Sequence, residues 1–156
     1  MAKLSIWLII LQKLKIAILS YRSAPFGGGQ GIYIHDISKA LSLMGHQVDV
    51  ISGPPYPNLS EKINLIKLPG LNLFQTFSFK ERLKIFIKKK NKRAIDFYEF
   101  FSTFFGGFPE MRTFGVRAKE FLGENHHYDI VIDNQSLSYV MLKIQKKFPF
   151  LEIIHH

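Results

Sequence analysis

Residues 27–31 read Gly-Gly-Gly-Gln-Gly. Lacking β-carbons, Gly27, Gly28, Gly29 and Gly31 let the backbone approach a ligand closely. A helix beginning here would turn unpaired N–H groups and the positive end of its dipole toward an anion. The same cluster also suits a turn needing positive φ and tight helix–strand packing, and both uses stand open. A nicotinamide-dinucleotide fingerprint fits poorly. Counted from Gly27, the last glycine of G-x-G-x-x-G falls on Ile32, and counted from Gly29 it falls on Ile34. The acid that should close the second strand is absent from Ile51-Ser52-Gly53, and Asp49 stands too early. The ligand reading of Gly28, Gly29, Gln30 and Gly31 is therefore a phosphate-bearing molecule of another kind.

Three further polar groups follow apolar runs: Tyr21-Arg22, Asp133-Asn134-Gln135 and His155-His156. A histidine in such a place orients or deprotonates a hydroxyl, or shields developing charge. Asn134 equally suits a helix N-cap, and His156 a solvated terminus. No carboxylate or third histidine stands at ligand spacing to the His pair, so no metal site is assigned. His126-His127 belong to the opposite edge and read as surface. The chain has no G-x-S-x-G elbow, phosphate-binding P-loop or paired-carboxylate motif.

The elements that must hold these residues follow from periodicity. Lys15–Ser20 is a short apolar run rich in strand formers, and Gln47–Ser52 is a second. Between them Ile34, Ile37, Ser38, Leu41 and Met44 mark one helical face, ended by Gly45-His46. That makes a βαβ unit. Residues 63–68 predict a third strand, 128–133 a fourth and 150–154 a fifth, with helices over 113–123 and 136–147. Residues 79–105 predict one long helix, basic first and then Phe-rich, with Phe97, Phe100, Phe101, Phe104 and Phe105 as its apolar stripe. Strands separated by helices imply an α/β fold: a doubly wound, mostly parallel sheet in a single Rossmann-like domain. In such sheets ligands sit outside the carboxyl ends of the strands, where all three polar groups and the glycine cluster fall.

Composition bounds the rest. The 156 residues suit one domain, and 47% hydrophobic content is enough for a core. Zero cysteines exclude disulfide scaffolds, thiolate metal sites and thiol catalysis. The net charge is +9, and Lys80, Arg82, Lys84, Lys88, Lys89, Lys90, Lys92 and Arg93 stand against Glu81 alone, so this one segment carries +7. The remainder is nearly neutral, which argues against nucleic acid as a partner. Leu83, Phe86 and Ile87 give the basic segment an apolar side. Lys84, Lys88, Lys89, Lys90, Lys92 and Arg93 are thus candidate contacts to an anionic membrane, with a plain solvated face as the competing reading. Residues 1–14 form an extension: the apolar run Leu4–Leu11 is interrupted by Gln12, Lys13 and Lys15 and is too short to span a bilayer.

Several of these segments together resemble the N-terminal domain of glycosyltransferase family 4. They are Lys15–Ser23, Gly27–Gly31, Leu41 with Gly45–Val50, Phe108-Pro109-Glu110 with Thr113–Ala118, Tyr128–Gln135 and Ile153–His156. The likeness covers about residues 14–156. It implies the N-terminal half of a GT-B fold, two Rossmann-like domains with the active site between them, and retaining transfer from a nucleotide-sugar donor. No cofactor is implied beyond that donor substrate. By resemblance Gly28, Gly29 and Gly31 line the cleft near the donor phosphates. His155 contacts acceptor or reacting sugar, as the catalytic candidate, and Asn134 and Gln135 lie on the acceptor side. The expected partners are the donor, a sugar or lipid-linked acceptor, an anionic membrane surface on the cytoplasmic side, and the missing C-terminal domain on a separate chain or lost by truncation. The expectation for this half alone is inactivity. The competing reading is a noncatalytic α/β module that binds a phosphate-bearing ligand or the membrane.

Overall fold

A computed structural model describes residues 13–25, 29–124, 127–134, 140–147 and 152–155. Its elements are β1 (Lys15–Ser20), α1 (Gly29–Leu43), β2 (Gln47–Ser52), β3 (Asn64–Lys67), α2 (Phe79–Lys88), α3 (Ala94–Ser102) with a 3-10 turn at Thr103–Phe105, α4 (Glu110–Glu124), β4 (Ile130–Asn134), α5 (Val140–Lys147) and β5 (Glu152–His155). The five strands form one sheet in the order β3-β2-β1-β4-β5, and every pairing is parallel. The doubly wound Rossmann-like expectation is met.

Alternation along β1 divides the core. Ile16 and Ile18 point to one face, where Val48, Val50 and Ile34 of α1 join them. Ala17 and Leu19 point to the other, with Ile51, Val131, Phe114, Ala118 and Leu122 of α4, and Ile144 of α5. Both faces are covered, which is why these strands read as continuous apolar runs. Met44, expected on the buried face of α1, lies beyond the end of the helix and is exposed.

One polar exception inside the sheet is Asp49. Its carboxylate accepts from the Tyr128 hydroxyl at 2.7 Å and from Asn64 Nδ2 at 3.2 Å, tying β2 to β3 and to the approach of β4. Burial, and then the bond to Asp49, push the Tyr128 hydroxyl above its ordinary pKa. Asp49 is an internal brace here. Leu14 also belongs with the domain: its carbonyl accepts from Gln47 N–H at 2.8 Å, and its side chain packs on the α1 face.

The single helix expected over 79–105 is two helices. Residues 89–93 turn between them, with Asn91 at φ 53°. Asp96 fixes the start of α3 by accepting from Arg93 N–H at 2.8 Å and from Lys89 Nζ at 2.5 Å. The folded-back pair buries Phe100 against Leu71 and Leu73, with Phe86 stacked on it at 4.5 Å between centroids. Of the expected Phe stripe only Phe100 is core; Phe97, Phe101, Phe104 and Phe105 are exposed.

Candidate functional site

The carboxyl edge of the sheet is stitched by backbone bonds between successive loops. Gly53 N–H donates to Ser20 O at 3.0 Å, Leu68 N–H to Ser52 O at 2.8 Å, and Ser23 N–H to Pro55 O at 2.9 Å. A β-carbon on Gly53 would strike the Tyr21 carbonyl and come within 3.2 Å of Phe114, so glycine is what lets these loops close together. Register sets Lys67, Ser52, Ser20 and Asn134 side by side along this edge.

On the α1 side, Ser20 and Asn134 continue the face of Ile18 and Ile132. Asn134 is buried, and its Oδ1 has no hydrogen-bond partner among the described residues. Ser20 Oγ bonds Ser23 Oγ. Gly29, Gln30 and Gly31 form the first turn of α1, whose N-terminus lies at this same edge. Their roles differ. A β-carbon on Gly31 would land on the Ala24 carbonyl, so Gly31 serves the close approach of the β1–α1 loop to the helix. Gly29 has open space around it. Gly28 and Gln135 lie outside the described residues. His155 ends β5 in register with Asp133, one residue short of the Asn134 row.

On the α4 side lies a cavity of about 70 Å³ with Tyr21, Arg22, Asn72, Phe74, Phe108 and Glu110 in its walls. The Arg22 guanidinium sits 3.8 Å from the Phe74 ring centroid, and Phe74 and Phe108 rings lie 5.8 Å apart. Burial raises the Glu110 carboxyl above the usual carboxylate range; its own backbone N–H opposes this, Glu99 adds to it, and Arg22 and Arg82 oppose it. Beneath the cavity is an ionic cluster. Arg117 donates to Asp96 and to Glu99, each at 2.7 Å, and Glu99 also accepts from Leu71 N–H at 2.8 Å. Both carboxylates are 1% exposed. Burial pushes the Asp96 carboxyl up, yet bonds from Lys89, the Arg93 amide and Arg117 together hold it below its ordinary value. A larger cleft of about 490 Å³ runs past Lys90, Arg93 and Glu120, and four of its charged side chains are already paired as Lys89–Asp96 and Arg93–Glu120. Among the described residues no three His, Asp or Glu side chains converge as metal ligands.

The sequence reading did not identify the Arg22–Glu110 cavity or the Asp96–Glu99–Arg117 cluster as sites. The residues of both are scattered over several segments and carry no motif; the three-residue spacing of Asp96 and Glu99 beside Phe100 is the local signal that could have marked a buried acidic face. The six basic candidates also divide. Lys84, Lys88, Lys90 and Lys92 are exposed. Lys89 is drawn inward to Asp96 and the Pro69 carbonyl, and Arg93 pairs with Glu120. Phe86 is turned into the core, whereas Ile87 remains 64% exposed. Among the described residues no helix is long and apolar enough to cross a membrane.

No family model matches the chain. The chain is similar to the MMP alpha-(1->4)-mannosyltransferase of Mycolicibacterium hassiacum, with 40% identity over 146 residues, covering 92% of this chain and 35% of the relative. It therefore spans about a third of the length of the curated relative it matches.

Proposed function

We propose that this chain is the acceptor-side domain of a retaining, GT-B, family 4 glycosyltransferase that moves a sugar, mannose by analogy with the relative, from a nucleotide-sugar donor to a saccharide acceptor. The 40% identity across 92% of the chain carries the reading. The parallel sheet supports it, because its carboxyl edge gathers the first turn of α1, Asn134 and the end of β5 where ligands bind in such folds. In this reading the N–H groups opening α1 at Gly29 and Gln30 face donor phosphate, and Gly28 continues that lining. Asn134 and Gln135 contact the acceptor. His155 acts at the reacting sugar, where a neutral imidazole accepts a hydroxyl proton or its cation offsets developing charge. Beyond those N–H groups, stabilisation of the leaving nucleotide is assigned in this reading to residues outside 1–156, so that 1–156 alone is inactive.

A chimera tests this. Residues 14–156 replace the matching segment of the Mycolicibacterium relative, and mannosyl transfer is assayed beside the parent. Transfer by the chimera, and none by 1–156 alone, is the expected result. A folded chimera without transfer overturns the proposal.

The α2–α3 pair supports a second proposal, that this domain rests on an anionic lipid surface. Exposed Lys84, Lys88, Lys90 and Lys92 belong to the same 79–105 stretch as exposed Ile87, Phe97, Phe101 and Phe105. One-signed charge beside unburied aromatic surface suits headgroups and the acyl boundary. Lys89 and Arg93 belong to this face by sequence, but their ion pairs make them its scaffold.

A further inference from the structure

The α4-side cavity combines features that point to one class of ligand. Its walls carry one cation, Arg22, and one carboxyl, Glu110, between the rings of Phe74 and Phe108. A cation–π contact with Phe74 holds the guanidinium in the wall; among the described residues it forms no ion pair, so its N–H groups can donate to a ligand. Glu110 accepts its own backbone N–H and keeps further lone pairs for another donor. An anion would gain from Arg22 and lose against Glu110, and a cation the reverse. A neutral molecule rich in hydroxyls uses both, and its C–H face matches the aromatic wall. About 70 Å³ admits one edge of a pyranose ring.

We infer that Arg22, Glu110, Phe74 and Phe108 form a subsite for one neutral pyranose unit of the acceptor, with Arg22 donating to its hydroxyls, Glu110 accepting from them, and the two rings lying against its C–H face. The choice of a sugar rests on the glycosyl-transfer proposal; the residues rest on the cavity. The subsite lies on the α4 side of the sheet edge, away from the glycine turn assigned to phosphate. This pyranose unit thus lies across β1 from the donor phosphate, and the rest of the acceptor extends from it toward Asn134 on the α1 side.

The test is an amide-resolved NMR titration of the 156-residue chain with methyl α-D-mannopyranoside and, separately, inorganic phosphate. The sugar should give saturable shifts at Arg22, Asn72, Phe74 and Glu110, weakened at least tenfold in affinity by Arg22→Ala and by Glu110→Gln. Should Arg22→Ala fail to fold, Arg22→Lys keeps the charge but loses the planar fork, and it should weaken binding against an unchanged amide spectrum. Sugar-induced shifts elsewhere that neither variant alters overturn the subsite, as does phosphate binding lost in Arg22→Ala and kept in Glu110→Gln. No sugar response from the cavity alongside an active chimera overturns the subsite alone. An inactive folded chimera with a responding cavity overturns only the transfer proposal.

Discussion

Burial by itself would raise the carboxyl of Asp96, and three donors more than reverse that. Its folded-state pKa lies below the unfolded value of about 3.9. Its contribution to stability is therefore complete above the unfolded value and is lost as pH falls through the folded one. Glu110 has the opposite sign: its raised carboxyl costs stability while ionised, and that cost fades on acidification through its folded pKa. Replacing Asp96 with Asn should cost about 3 kcal/mol at pH 7, because Arg117 and Lys89 lose a charged partner in a buried setting, and should flatten the acid limb of a stability–pH curve measured by urea unfolding. The glycines separate at the same scale. Gly31→Ala forces a side chain onto the Ala24 carbonyl and should destabilise by about 1–3 kcal/mol. Gly29→Ala meets open space, so unfolding should move by less than about 1 kcal/mol in the stabilising direction. Any loss of phosphate or nucleotide binding in Gly29→Ala then reports the ligand face. Periodicity and motif counting left the two uses of the glycine cluster open, since a glycine's role depends on what stands opposite the missing β-carbon.

The α2–α3 pair shows how charge spacing misleads along a helix and informs across a turn. Eight basic residues in a helical run predict one solvated or lipid-facing stripe. In the fold, Asp96 captures Lys89 and the Arg93 amide, the chain reverses at residues 89–93, and Phe86 stacks on Phe100. The lipid proposal then rests on a narrower set. Replacing Lys84, Lys88, Lys90 and Lys92 with Gln should remove at most about 4 kcal/mol of binding to phosphatidylglycerol vesicles, at about 1 kcal/mol per charge. Wild-type binding should weaken steeply with salt as the Debye length shrinks from ~10 Å at 0.1 M to ~3 Å at 1 M. Cosedimentation reads both. Equal binding to neutral vesicles would assign the contact to Phe101, Phe105 and their neighbours, and absence of binding would leave a solvated face.

At the scale of the whole molecule, Leu14, one residue ahead of the first strand, is bonded and packed into the fold. Removing residues 1–12 should leave cooperative thermal unfolding intact. Removing Leu14 as well deletes the acceptor for Gln47 N–H and packing on the α1 face, and should cost about 1–2 kcal/mol. The sequence by itself determined the sheet. β1 and β2 fall at the predicted residues, because a strand buried on both faces is mostly apolar and that run is visible locally even with the paired Asp49 inside it. It also determined that the polar groups after β1 and β4 and the opening of α1 share one edge, since parallel strands joined by helices leave no other arrangement. Only the tertiary structure decided the partners of side chains far apart in the chain. Tyr128 reaches Asp49, Arg117 reaches Asp96 and Glu99, and Arg22 meets Phe74 in a cavity closed by Glu110. Such pairings carry no period and no motif. They follow from the distances that packing imposes once α4 lies across the sheet, where a buried charge must find its counter-charge wherever the fold has brought one.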